Sequence, residues 1–482
     1  MNEGMKERGN ELGKPPFIPS FLHSLIPSIP LWHWGLALLF LLLITSLGYG
    51  PAQCDFGWIA SLHAAAFLVY LGMYRKANDP VALYFFLGVA VIARLLLIGA
   101  FPQLSDDIYR FLWDGRLINQ GINPFAHLPS YYLQEGNQLA GLDTELFAQL
   151  NSPEYFTIYP PVAQAIFALA TWLFPYSIPA ATVVIKLFLF FCELGSLILL
   201  VKLLARLGFP EKGVLLYALN PMILIEVMGN LHFEGAMIFF LLLSLWWLVS
   251  GRYLFSAAAL AFSVASKLLP LLFCFFLIRR LGWRRSLKYF ALMGLVLLLL
   301  FSPLLGGAFF SGMGSSLRLY FQRFEFNGSI YYVLRWIGFQ LSGYNLIQYL
   351  GPALAACTFL GISLAALLGR RRDWRSLPAL MLFAICLYLA FTPTVHPWYA
   401  SLPLVLAPFT RFRFPVLWTA LISLTYINYS YPEYDEQLWI VALEYLLVYG
   451  LALWEVWSGR NWMGEGEIVE DRRRAGKAGT NE

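Results

Sequence analysis

LWHWGLALLFLLLITSLGY, residues 31–49, holds no Asp, Glu, Lys or Arg, and GWIASLHAAAFLVYLGMY, residues 57–74, repeats the pattern and is followed by Arg75-Lys76. About 20 apolar residues are what a helix needs to cross the hydrocarbon core. A pair of such runs, closed by two cations, reads as two membrane spans returning to a basic side. Comparable runs lie near 81–101, 179–203, 213–229, 232–250, 287–305, 346–368, 376–391, 397–410, 414–429 and 438–457. Composition agrees: of 482 residues, 59% are hydrophobic and 13% charged, against about 25% charged in soluble domains. The chain is expected to be an all-α polytopic membrane protein, a bundle of roughly 12–14 transmembrane helices with loops outside and re-entrant or broken segments.

Lys and Arg set the orientation, because loops on the cytoplasmic side collect them. The tail 1–30 (Lys6, Arg8, Lys14) starts inside, and Arg75-Lys76 return inside. The segment 102–157 therefore falls outside. Two stretches must not cross if later clusters are to stay inside. Residues 158–175, opened by Tyr159-Pro160-Pro161, read as re-entrant or interfacial. Residues 253–280 read as a hairpin broken at Ser266-Lys267 and Pro270, with Lys267 at its outer tip. Arg279, Arg280, Arg370 to Arg372, Arg375, Arg411, Arg413 and the tail 458–482 then all lie inside. This organisation makes 31–457 a single integral membrane domain between two cytoplasmic tails. It also implies multi-pass residence in a bacterial-type plasma membrane.

The unusual polar residues gather on the outside face. Loop 102–157 opens with Ser105-Asp106-Asp107-Ile108-Tyr109-Arg110, followed by Trp113-Asp114-Gly115-Arg116 and Asn123. Asp107 and Asp114 stand two helical turns apart and are expected on one face, with Arg110 able to pair with Asp107. Glu226 interrupts an apolar run, and Asn230, His232 and Glu234 fill a very short outer turn. Ionisable groups at membrane depth are costly and mark function by default. Loop 306–345 carries Arg318, Arg323 and Arg335 among aromatics such as Tyr331 and Tyr332; Arg forks suit phosphate oxygens. His396 sits between two prolines in Thr392–Tyr399. The five cysteines form no CxxC or Cys/His cluster, so neither a zinc site nor a disulfide framework is implied. The sequence has no P-loop, dinucleotide fingerprint, HExxH or GxSxG, which removes nucleotide-driven pumping and zinc or serine hydrolysis. The net charge of +5 belongs to loops and tails and does not suggest nucleic acid.

An acid pair in the first outer loop, a later Tyr-Pro-Pro, a broken hairpin at Ser266-Lys267, an outer Asn327-Gly328-Ser329 and a final outer His396 resemble the C-type membrane glycosyltransferases. Within these, the polyprenol-phosphate-mannose-dependent mannosyltransferases and glycosylphosphatidylinositol mannosyltransferase I are the most similar. The resemblance implies a single-sugar transfer, with mannose as the family default, from a polyprenyl-phosphate donor to a glycan or lipid acceptor outside the membrane, with inversion. It implies Asp107, or else Asp106, as general base. Arg323, Lys267, His396 and Arg318 would surround the donor phosphate. Tyr109, Arg110, Asp114, Asn123, Asn230, His232 and Glu234 would shape the sugar and acceptor pocket. Whether the acid pair also takes a divalent metal is left open, and no other cofactor is implied. A lipid flippase or transporter, or an O-antigen-type ligase, would use similar materials. The acid pair in the first large loop and the absence of an internal repeat favour sugar transfer.

Overall fold

The computed structural model describes residues 29–431 and 433–463, so most of the two expected tails lies outside the described residues. The described chain is helical, and its one β feature is an isolated bridge between Phe326 and Thr394. Seven helices are long and apolar enough to cross a membrane: Leu31–Tyr49, Phe56–Lys76, Pro80–Gly99, Ile178–Leu207, Ile347–Leu368, Trp374–Phe391 and Leu438–Ser458. Local chemistry sets their ends. Asp79 accepts from the Ala82 amide at 2.9 Å, with Pro80 at the first helical position. Ile178–Leu207 ends on Gly208 at φ 71°, the left-handed conformation that glycine adopts without Cβ strain.

Two further runs are continuous helices, Glu234–Val249, which is shorter than a full span, and Trp283–Phe301, which opens on Arg284, Arg285 and Lys288; the others are broken, so fewer long apolar spans appear among the described residues than the 12–14 expected. Run 213–229 bends by 52° between Glu211–Ala218 and Pro221–Gly229. Asn220 caps the second half by accepting from Met222 N at 3.0 Å, and Pro221 cannot continue the first. Residues 397–409 divide into short pieces started by Pro397 and containing Pro403 and Pro408. Segment 414–429 passes from an α-helix, Phe414–Leu421, into a 3₁₀-helix, Ile422–Tyr429.

Side-chain contacts join the basic loops at one end of the bundle. Lys212 donates to Asn78 at 3.2 Å, and Lys76 lies over the Trp32 ring. Arg375 donates to the Gly208 carbonyl at 3.2 Å, Arg280 to that of Arg371 at 3.2 Å, and Arg285 covers Tyr253. Tyr253 in turn lies 6.4 Å from Trp374. Tyr253–Ser266 and Cys274–Leu281 thus begin and finish at this basic end, with Lys267 at the turn between them in extended conformation. This is the hairpin expected from the charge pattern. Pro161–Leu173 starts beside Asp107 and packs along Asp107–Asn119; Gly115 makes this possible, since a Cβ there would meet the Phe167 carbonyl oxygen at 2.3 Å.

Buried ionisable groups in the bundle are held by hydrogen bonds. Arg94 donates from Nη2 to Glu193 at 2.8 Å and from Nη1 to the Ala218 carbonyl at 2.7 Å, while Tyr217 donates to the other Glu193 oxygen at 2.6 Å. Lys186 donates to the Leu97 and Ala100 carbonyls at 2.9 and 2.5 Å.

Candidate active site

At the end opposite the basic loops, Asp107 opens the helix Asp107–Asn119, where the exposed amides and helix dipole favour a carboxylate. Its Oδ1 accepts from Asn151 Nδ2 at 2.8 Å and its Oδ2 from the Tyr159 hydroxyl at 2.9 Å. The side chain keeps 16% of its surface. Among the described residues, no Lys or Arg stands within ion-pair distance of it. Asp106 is exposed at the helix cap, and the cleft walls and then the Asp107 charge raise its carboxyl above the usual range. A hollow of about 520 Å³ opens nearby, lined by Cys54–Trp58, Ile427, Ser430 and Tyr431. Gln53 ties its rim to the acid loop by donating to the Leu104 carbonyl at 3.2 Å.

His232 places Nδ1 3.8 Å from Asp107 Oδ2 and Nε2 3.3 Å from Glu226 Oε2. Glu226 is held by Tyr426, donating to Oε1 at 2.7 Å, and by Asn230, donating to Oε2 at 3.3 Å. The backbone here is special. Glu226 lies in a π-helical turn, Leu224–Gly229, and Leu231 has φ 67°, a strained value for a branched side chain. Such turns and outliers recur at functional sites.

An aromatic column extends from His232. Its ring stacks on Trp398 at 3.5 Å, Trp398 on His396 at 4.5 Å, and His396 on Phe326 at 4.7 Å. The bridge that brings Phe326 there is the Val395 amide donating to the Phe326 carbonyl at 2.8 Å. The protein crowded around the half-buried His396, then nearby His232 and Lys267, push its imidazole down to about 3, so it is neutral near pH 7. Lys267 at the hairpin turn contacts Glu234 at 2.7 Å and lies 5.7 Å above the Tyr399 ring.

The expected residues therefore separate into groups. Asp106, Asp107, Asn230, His232, Glu234, Lys267 and His396 converge around the cleft. Arg110 does not pair with Asp107; it pairs with Asp114 at 3.0 Å and donates to the Tyr155 carbonyl at 2.9 Å. Asp114 is fully buried, accepts also from Gln164 at 2.9 Å, and so turns away from the face that Asp107 presents. A (i, i+4) partner inside the packed loop is better shielded than Asp107 at the cleft, and that decides the pairing. Asn123 donates to the Leu304 carbonyl at 2.7 Å and ties the segment after the acid pair to the end of the helix Trp283–Phe301. Tyr109 is half-buried on the same helix, against Phe101. Arg318 and Arg323 are exposed on and just after the helix Gly307–Gln322, and their side chains make no hydrogen bond or ion pair among the described residues. Arg335 pairs with Glu325. No group of three or more His, Cys, Asp or Glu placed to hold a metal occurs among the described residues.

Sequence reasoning gave no role to Asn151, Tyr426 and Trp398. Glu226, an acid inside an apolar run, was marked as a functional suspect without a stated role, and Tyr159 entered only through its Tyr-Pro-Pro motif. Tyr426 and Trp398 look like ordinary membrane aromatics, and only the fold brings them here.

Two comparisons with known proteins bear on the chain as a whole. The family model described as "Alpha-(1->6)-mannopyranosyltransferase, N-terminal domain" matches residues 65–281, which include the acid pair, Glu226, His232 and Lys267. Alpha-(1->6)-mannopyranosyltransferase A of Mycobacterium tuberculosis is 26% identical over 378 residues, spanning 72% of this chain and 69% of the relative. The chain is thus similar over part of its length to alpha-(1->6)-mannopyranosyltransferases, and its described residues form an all-helical bundle with spans long enough to cross a membrane.

Proposed function

We propose that the protein transfers one mannose, with inversion, from a polyprenyl-phosphate donor to a glycan or lipid acceptor at the extracytoplasmic face. The observation that carries this reading is Asp107. Its carboxylate is fixed by two neutral donors, open to a cleft, and has no Lys or Arg partner within ion-pair distance among the described residues. That suits a general base. Asp107 removes the acceptor hydroxyl proton as the oxygen attacks the anomeric carbon from the side opposite the leaving phosphate. Lys267 stabilises charge growing on that phosphate, a term that counts most when the donor is in place before the bond breaks. The clustering of basic loops at the far end supports a cytoplasmic assignment for that end and an outward-facing cleft. The hollow beside Leu104, with Trp58, Tyr431 and Asp55 on its wall, offers aromatic faces and a carboxylate to acceptor sugars.

The test is product analysis. The purified full chain, given polyprenyl-phosphate mannose and an octyl α-(1→6)-dimannoside, is expected to yield a trisaccharide extended by one mannose. Its new linkage should have the anomeric configuration opposite to the donor's, as read by NMR. A product of retained configuration, or transfer of a preassembled glycan, contradicts the proposal.

A further inference from the structure

The His232 ring is enclosed by groups that define which nitrogen carries its proton. Glu226 is 2% exposed, and its Oε2 lies 3.3 Å from His232 Nε2, which among the described residues has no other polar partner. A buried carboxylate there calls for N–H at Nε2, leaving the Nδ1 lone pair toward Asp107. Two acceptors facing each other explain why Nδ1 and Asp107 Oδ2 stand 3.8 Å apart, beyond hydrogen-bond distance. Once Asp107 gains a proton, the same pair becomes donor and acceptor, and the gap can close. Catalytic hydrogen bonds are often long in the empty enzyme and tighten with substrate. Trp398, stacked on His232 at 3.5 Å, presents a π-face that favours an imidazolium.

We propose that His232, oriented by Glu226, is the relay that receives the acceptor's proton from Asp107. This rests on the reading of Asp107 as base. The acceptor O–H bond breaks toward Asp107, and its electron pair forms the bond to the anomeric carbon. The bond from that carbon to the phosphate oxygen breaks, and its electrons leave on the lipid phosphate. The proton passes from Asp107 Oδ2 to His232 Nδ1 while Nε2–H stays directed at Glu226. Asp107 is again a carboxylate, and the imidazolium stands between two acids and an aromatic face. After product leaves, the proton goes back through Asp107, the exposed member of the pair, to cleft water. The role of Glu226 is positioning. The charged and titratable groups around the ring are Asp107, Glu226, His396 beyond Trp398, and Tyr426 and Tyr429 from the 3₁₀-helix.

The experiment uses the full chain in detergent with polyprenyl-phosphate mannose and octyl α-(1→6)-dimannoside, following kcat and KM from acid to alkaline pH. His232→Gln is expected to lower kcat on the order of tenfold to a hundredfold, part of what general-base assistance supplies. Donor KM should stay unchanged, and the imidazole ionisation should vanish from the acid limb. Glu226→Gln removes the charge that stabilises the imidazolium. Its acid limb should move to lower pH, and Glu226→Asp should move it back. If His232→Gln unfolds, the Glu226 pair decides the matter by the same limb. Wild-type kcat and an unmoved acid limb in these variants, with Asp107→Asn inactive, overturn the relay alone. An active Asp107→Asn overturns the base assignment instead.

Discussion

Two acidic centres in this bundle are built from similar parts and finished differently. Glu193 is closed on every side: two Arg94 nitrogens and the Tyr217 hydroxyl reach its oxygens, and none of its surface is exposed. The Asp107–His232–Glu226 centre is left incomplete, with a carboxylate open to a cleft, a 3.8 Å gap, and a buried ring nitrogen without an aligned hydrogen bond. Inside a membrane an unsatisfied polar group is expensive. Completing the first centre makes it scaffold; leaving the second incomplete keeps protons and ligands able to enter. The backbone repeats the difference. Glu193 sits in a regular helix, while Glu226 sits in a π-turn and His232 directly follows the left-handed Leu231.

Breaking the closed centre should give the largest effect on stability. Glu193→Ala strands the Arg94 guanidinium in the core and should cost about 3–5 kcal/mol. A lowered unfolding temperature in detergent would register this, with transfer per folded molecule retained. The same loss of stability from Glu226→Gln would erase the contrast. Next comes Lys267, whose contact with Glu234 makes a single substitution ambiguous. In the double variant Lys267→Met, Glu234→Gln, no buried charge is stranded, and donor KM should rise roughly tenfold or more if the cation holds phosphate. An unchanged donor KM removes Lys267 from the donor site. Arg323 is exposed, and Arg323→Ala should change donor use only a few-fold, as fits a solvated charge.

The smallest effect concerns His396. Its folded-state pKa is pushed below its ordinary value to about 3, so the unfolded chain takes up its proton first as pH falls. The corresponding stability is present above about 6.5 and is lost as pH drops from there toward 3. His396→Asn should therefore flatten the decline of unfolding temperature across that acidic window. An equally steep decline would mean that this histidine is not held neutral.

Much of the fold was legible because lipid imposes a simple rule on long segments. Arg75, Arg279, Arg280 and Arg375 located one end, and they also forced Tyr253–Leu281 to turn back at Lys267. What the charge pattern did not convey was where helices break, since Pro397, Pro403 and Pro408 interrupt a run that hydropathy alone reads as continuous. In the site, Asp107, His232, Lys267 and His396 were visible as polar residues that lipid would not tolerate without reason. Arg110 and Asp114 passed the same test yet neutralise each other inside the packed loop; sequence spacing allowed either partner for Arg110, and packing chose. Tyr159 was visible only as part of Tyr-Pro-Pro, and Asn151 and Tyr426 gave no signal, because a hydroxyl or amide becomes informative only when the fold points it at a carboxylate.

The claim at the centre is that Asp107 is the base, and Asp107→Asn tests it most directly. The amide keeps the size and hydrogen-bonding capacity of the side chain but cannot accept the acceptor's proton as a carboxylate does. Single-turnover transfer from polyprenyl-phosphate mannose should fall by at least about 10²–10⁴-fold, while donor binding measured on the same preparation stays near wild type and Asp106→Asn costs less. Transfer at the wild-type rate by Asp107→Asn would contradict the account.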